Sequence, residues 1–274
     1  MYKIIIKLVT ILLYLMLTTV NAQIFQGQAY YQTKRTMNIQ MDSTQMDNPM
    51  QKQIQEMLKK QFEKTYVLTF NKNSSIYKEE EQLKSPKSQG IMIIGGVGTL
   101  YKNTKTKTFT KKEETFGKKI LIKDTIEKID WKISNETKMI GKYLCIKATA
   151  IKMIDDYEKG NDLSKLPKKK EQQKELPIIA WYTPEIPVSN GPEYYGGLPG
   201  LILELHEDKM HFVCNKIIFN PKKIIKIVAP TKGKVMSQKE YQKMKEKQLE
   251  EMMKKFHGGR KKGKNTDTFF SIGG

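Results

Sequence analysis

Histidines, methionines and cysteines are the side chains through which this 274-residue chain most directly offers chemistry. His206 and His211 bracket Glu207, Asp208, Lys209 and Met210, one residue too many for the HExxH pattern that sets two zinc ligands on one helix face. Read as a turn between two strands, Glu207-Asp208-Lys209 brings the two imidazoles near each other, an alternative position for a metal. Met37, Met41, Met46 and Met50 recur every four or five residues. Thioethers are soft ligands suited to Cu(I), but Met50 and Met57 are equally explained as core residues of a helix. No resident cofactor is expected, with Cu(I) as the alternative. No nucleophile has a recognisable setting: there is no GxSxG elbow, and Gly95 to Gly98 are not followed by the Lys and Ser/Thr of a phosphate loop. The reading therefore leans away from an enzyme and assigns no catalytic residue, with a hydrolase of unrecognised site as a second alternative.

The N-terminus gives an address. Lys3 and Lys7 precede the apolar run Leu8 to Leu17, and Val20-Asn21-Ala22 ends in a small residue before a cut. That order reads as a secretory signal over residues 1–22, because an apolar run of about ten residues is half of a membrane span. A mature chain of 252 residues from Gln23 is expected, exported to the periplasm or the outer-membrane surface, with no cysteine at the cut to carry a lipid anchor and no integral membrane segment. Cys145 and Cys214 then form an even pair in an exported chain, read as either one disulfide or two buried thiols, since a bridge needs the two Cα atoms close. Removing Lys3 and Lys7 lowers the formal charge from +20 to +18, and Lys222 to Asp267 holds 15 Lys or Arg against five Asp or Glu. Such a field attracts an anionic envelope surface. Export argues against a physiological nucleic-acid partner, and a lysine-rich solvated surface is the simpler account.

Most of the mature chain reads as short strands separated by turns, an antiparallel meander rather than alternating βα units. Tyr66 to Phe70 and Ser75 to Tyr77 flank Asn71-Lys72-Asn73 as a hairpin, and a turn over Lys102 to Lys105 leads into a strand over Thr106 to Thr110. Segments over Lys118 to Lys123, Trp131 to Ser134, Thr137 to Ile140, Lys142 to Ile151, Leu176 to Tyr182, Leu201 to Leu205, His211 to Phe219 and Ile224 to Val228 continue the rhythm. Charged residues over 155–175 read as an exposed insertion in a β domain spanning 23–235. Asn48, Pro49 and Gln51 start an amphipathic helix near 49–62. Ser237 with Glu240 starts another over 236–257, before a basic Gly-rich tail at 258–274.

Between the last strands lies the most constrained stretch. Pro184, Pro187, Pro192 and Pro199 alternate with Gly191, Gly196 and Gly197 before Gly200, leaving no room for a helix or a central strand. The loop then runs into Leu201-Ile202-Leu203-Glu204-Leu205. Strand alternation sends Leu201, Leu203 and Leu205 into a core and Glu204 outward. Trp181, Tyr182, Pro184, Pro187, Gly197, Leu198, Pro199 and Gly200 are the candidate residues of a recognition loop.

Gly197 to Ile202 spells GLPGLI, and the chain resembles the GLPGLI family of exported Bacteroidota proteins. The resemblance extends over Phe70 to Glu80, Leu121 to Trp131, Glu136-Thr137-Lys138, Ile140-Gly141, Cys145, Ala180 to Pro187 and Gly191-Pro192. It implies a fold that is mainly β with covering helices (β+α), a curved antiparallel sheet or half-barrel like that of periplasmic lipoprotein carriers by analogy, and transfers no catalytic residue. The expectation that follows is a nonenzymatic binding or carrier protein whose partner is an apolar small molecule, a lipid or a peptide.

Overall fold

The computed structural model describes residues 2, 3, 7, 25–35, 63–80, 98–115, 117–157, 169–222 and 225–259. Among the described residues twelve strands form one sheet: β1 (Gln26–Arg35), β2 (Lys64–Asn71), β3 (Ser74–Glu79), β4 (Thr99–Asn103), β5 (Thr108–Thr115), β6 (Lys118–Thr125), β7 (Lys132–Ile140), β8 (Tyr143–Tyr157), β9 (Lys169–Thr183), β10 (Leu201–Glu207), β11 (Met210–Phe219) and β12 (Lys234–Met236). Their spatial order is β12-β6-β5-β4-β3-β2-β1-β11-β10-β9-β8-β7. Every pairing is antiparallel except β12 with β6. The sheet is large, open and nearly all antiparallel, and α1 (Gln238–Gly259) is the one named helix among the described residues.

Local chemistry sets the turns. In the β2–β3 hairpin, Asn71 Oδ1 accepts from the amides of Asn73 (3.0 Å) and Ser74 (2.8 Å), an Asx turn of the kind the sequence predicts. Asn103 repeats the device toward Lys105 (3.0 Å) and Thr106 (3.1 Å). The turn thus begins at Asn103, and Lys102, expected within it, belongs to β4. Asp208, at φ 49°, turns β10 into β11.

One face, the inner one, carries a single core. Ala29 and Tyr31 of β1, Leu68 and Phe70 of β2, Tyr77 of β3, Leu100 of β4, Ile120 and Ile122 of β6, Ala148 of β8 and Ala180 of β9 belong to it, as do Leu201, Ile202, Leu203 and Leu205 of β10, where a bulge between Ile202 and Glu204 breaks the strand alternation. Gly27 is required there, because an added Cβ would lie 2.4 Å from the Phe70 ring.

Several sequence expectations change. Residues 225–228 form no strand. After β11 the chain is pinned at Gln26, whose side chain donates to Ile225 O (2.7 Å) and accepts from Ile225 N (2.9 Å). It then crosses to the far edge of the sheet, where Val235 pairs with Leu121. The stretch read as an exposed insertion is partly the arms of a long hairpin, because β8 reaches Tyr157 and β9 starts at Lys169. Both cysteines are free and buried. No disulfide joins them, for β8 and β11 are separated by β9 and β10, about 14 Å at ordinary strand spacing. Burial raises the Cys145 thiol to about 11 and the Cys214 thiol to about 12, which keeps both protonated.

The expectation of covering helices is met only by α1, whose first turns pack Tyr241 and Met244 on the core. Its capping box forms as read: Glu240 N donates to Ser237 Oγ (3.2 Å), and Ser237 N donates to Glu240 Oε2 (2.7 Å). The helix expected near 49–62 and Met37, Met41, Met46 and Met50 lie outside the described residues, as do most of residues 1–22, read above as a secretory signal. Among the described residues no helix is long and apolar enough to cross a membrane.

Candidate functional site: the motif loop and the inner face

The segment from Pro184 to Gly200 joins β9 to β10 and packs into the core. Ile186, Val188, Tyr195 and Leu198 are buried, whereas Pro184, Pro187, Gly197 and Pro199 are exposed. Local hydrogen bonds hold its path: Leu201 N donates to Ile186 O (3.0 Å), Ile202 N to Asn190 O (3.0 Å) and Tyr195 N to Pro192 O (3.0 Å). Two glycines serve different needs. Gly197 adopts φ 89°, open to glycine at little cost. Gly200 lies against the end of β9, where a Cβ would stand 2.2 Å from Thr183 O.

Residues far away in the chain clamp this loop. Tyr31 donates from its hydroxyl to Ile202 O (2.6 Å), and Trp131 Nε1 donates to Gly196 O (2.9 Å). Lys102, 1% exposed, donates from Nζ to Gly191 O (2.9 Å) and Tyr195 O (3.0 Å). Burial lowers its ammonium pKa to about 7, with the nearby Glu193 carboxylate opposing the shift. The same burial raises Glu193, while Lys111 and Lys102 pull it back. Glu193 also sits at φ 47°, a backbone region that costs a non-glycine residue about 1 kcal/mol or more.

Around Glu193 lies a polar and aromatic cluster. Tyr66 stacks on Tyr77 with centroids 5.0 Å apart, and Tyr194 meets Phe109 edge to face, also at 5.0 Å. Glu193 lies close enough to raise the hydroxyl pKa values of Tyr66, Tyr77 and Tyr194, each already raised by burial. Lys111 pairs with Glu113 at 3.1 Å. The Ser75 and Tyr77 hydroxyls are buried without a hydrogen-bond partner. Lys102, Glu193, Tyr66 and Tyr77 escaped the sequence reading. The signal for Lys102 was its period-2 spacing from Leu100, which puts both on the inner face.

The outer face gathers other predicted residues. His206 and His211 stand directly opposite each other in the β10–β11 register, with ring centroids 4.5 Å apart. Glu204 Oε1 lies 2.6 Å from His206 Nε2 and accepts from Lys138 Nζ at 2.8 Å. Burial alone raises Glu204, but these two bonds bring it below its ordinary value. Lys138 also stands 4.3 Å over the Trp181 ring. Trp181 therefore faces away from Tyr182, Leu198 and Gly200, which are buried; the recognition residues read as one loop divide between the two faces and the exposed rim. Among the described residues no group of three or more His, Cys, Asp or Glu side chains is placed to hold a metal.

The chain matches, over residues 131–204, the model of a Bacteroidota-associated family described as "Protein of unknown function (Porph_ging)". That match runs from Trp131 through the loop to Glu204 and includes the Gly197 to Ile202 motif. No curated protein matches. Solved structures of PNGF-II in space groups C2 and P21 are similar at 14% identity with TM-scores of 0.49 and 0.48, over 80% of this chain and 32% and 33% of theirs. The chain thus spans about a third of the length of those proteins.

Proposed function

We propose that this chain is a nonenzymatic binding protein of the GLPGLI type, exported to the periplasm or the outer-membrane surface, whose curved, carrier-like sheet holds an apolar small molecule, lipid or peptide against its inner face. The observation that supports this most is the wall beside the motif loop. There the half-buried rings of Tyr66 and Tyr194 stand near Glu193, Lys111 is close enough to Glu193 to pull its carboxyl down, and the Ser75 and Tyr77 hydroxyls lack partners. Apolar and aromatic walls with a few convergent polar groups are how small-molecule sites are lined. The loop itself acts as the fixed floor of that site. A hydrolase built on Glu193 and Lys102 is disfavoured because Lys102 Nζ already donates to two loop carbonyls.

Native mass spectrometry of the protein purified from its own host tests the reading. The wild type is expected to carry a bound mass beyond the bare chain, and Tyr66→Ala with Tyr194→Ala to reduce the bound fraction several-fold through lost aromatic contact. A wild type found only at the bare mass in every preparation contradicts it.

A further inference from the structure

We propose that His206 and His211 form a two-histidine site for a borderline divalent cation such as Zn2+, on the outer face and independent of the inner-face ligand. Opposed residues of an antiparallel pair hold their Cβ atoms about 5 Å apart, close enough for two imidazoles to reach one ion. Here the rings meet at 4.5 Å and 84°. Imidazole is a favoured ligand of zinc.

Glu204 supplies what a bare histidine pair lacks. It lies on the same face two residues before His206, and its Oε1 engages His206 Nε2 at 2.6 Å. A carboxylate holding one ring nitrogen is the usual outer partner of a metal-bound histidine, since it fixes the tautomer and leaves the other nitrogen as a donor to the ion. Lys138, at 2.8 Å from the same oxygen, fixes Glu204 in turn. Val213, across from Glu204, and Ile179, across from His206, supply apolar neighbours on this face. Lys34, opposite His211 on β1, is 69% exposed and pairs with Glu63 at 3.7 Å. With two protein ligands, water completes the coordination shell, so the site is open and exchangeable rather than structural.

Calorimetric titration of the full chain with zinc chloride at neutral pH tests this, using wild type, His206→Gln and His211→Gln, with unfolding curves in the absence of zinc to verify that all three fold. The expected result is one ion per wild-type chain and an affinity at least tenfold weaker in each variant. No binding by the wild type leaves only ring packing between the histidines and overturns the proposal. Unchanged affinity in either variant overturns it as well, because the ion then sits elsewhere, for example at His257.

Discussion

Gly200→Val is expected to cost about 3 kcal/mol or more of folding stability, the upper part of the range for forcing atoms into a packed site. The atoms in the way are backbone: Thr183 O at 2.2 Å, Thr183 C at 2.7 Å and Pro184 N at 3.0 Å from an added Cβ. None of these yields by a rotamer change, so β9 and the start of β10 would have to separate. Gly117→Ala is the control. Gly117 adopts φ 70° with nothing within 4 Å of its added Cβ, so this change carries only the left-handed penalty of about 1–2 kcal/mol. Denaturant unfolding of both variants separates close approach from backbone strain. A Gly200→Val protein as stable as wild type but unable to bind ligand would make the motif a recognition element instead of a floor.

Lys102→Met is expected to change how stability depends on pH. In the folded chain the Lys102 ammonium titrates at about 7, against 10.5 for a free lysine. Between these values the unfolded state binds the extra proton, so stability rises with pH across the window from about 7 to 10.5 and is flat, for this group, below it. The shift is worth on the order of a few kcal/mol across the whole window. Methionine fills the same space and cannot titrate, so it removes that slope. It also leaves Gly191 O and Tyr195 O without the Lys102 donor, each a loss of about 1 kcal/mol or more. Unfolding free energies measured at intervals from pH 6 to about 10 should therefore diverge, wild type gaining on the variant as pH rises. Parallel curves would show that Lys102 is not enclosed as described.

The two substitutions mark where the sequence was legible. Local signals carried far: Asn71 announced its turn and Ser237 and Glu240 their capping box, and the core leucines of β10 are buried as read, although a bulge between Ile202 and Glu204 breaks the strict alternation and buries Ile202 as fully as Leu201. The two histidines were also placed near each other by reading Glu207 to Lys209 as a turn, as their opposed register now shows. The clamps on the motif loop were not legible, because each joins residues distant in sequence. Lys102 reaches Gly191 and Tyr195, Tyr31 reaches Ile202, and Trp131 reaches Gly196. A lysine among turn-forming neighbours reads as solvated, and only the tertiary fold shows it enclosed.

The same limit explains why the strand read over Ile224 to Val228 is not found at 225–228. The apolar residues there have strand character, but Gln26 satisfies both backbone groups of Ile225 with its side chain, so no ladder forms at that point. Of the two readings left open for the cysteines, the structure has the two buried thiols, and the reason is topological. Two strands that each contain a cysteine are not neighbours merely because both are strands, and β9 and β10 run between them.

The motif loop belongs to the core, and in the proposed function it is the fixed floor of an inner-face site. Amide hydrogen exchange at Tyr195, Leu201 and Ile202 tests it most directly, since their N–H groups are bonded to Pro192, Ile186 and Asn190 carbonyls within the loop. Exchange as slow as that of Leu68 in the central strand β2, governed by global unfolding, is the expected result. Exchange at these three amides orders of magnitude faster than at Leu68, with β2 still protected, would show that the loop opens independently and contradict the claim.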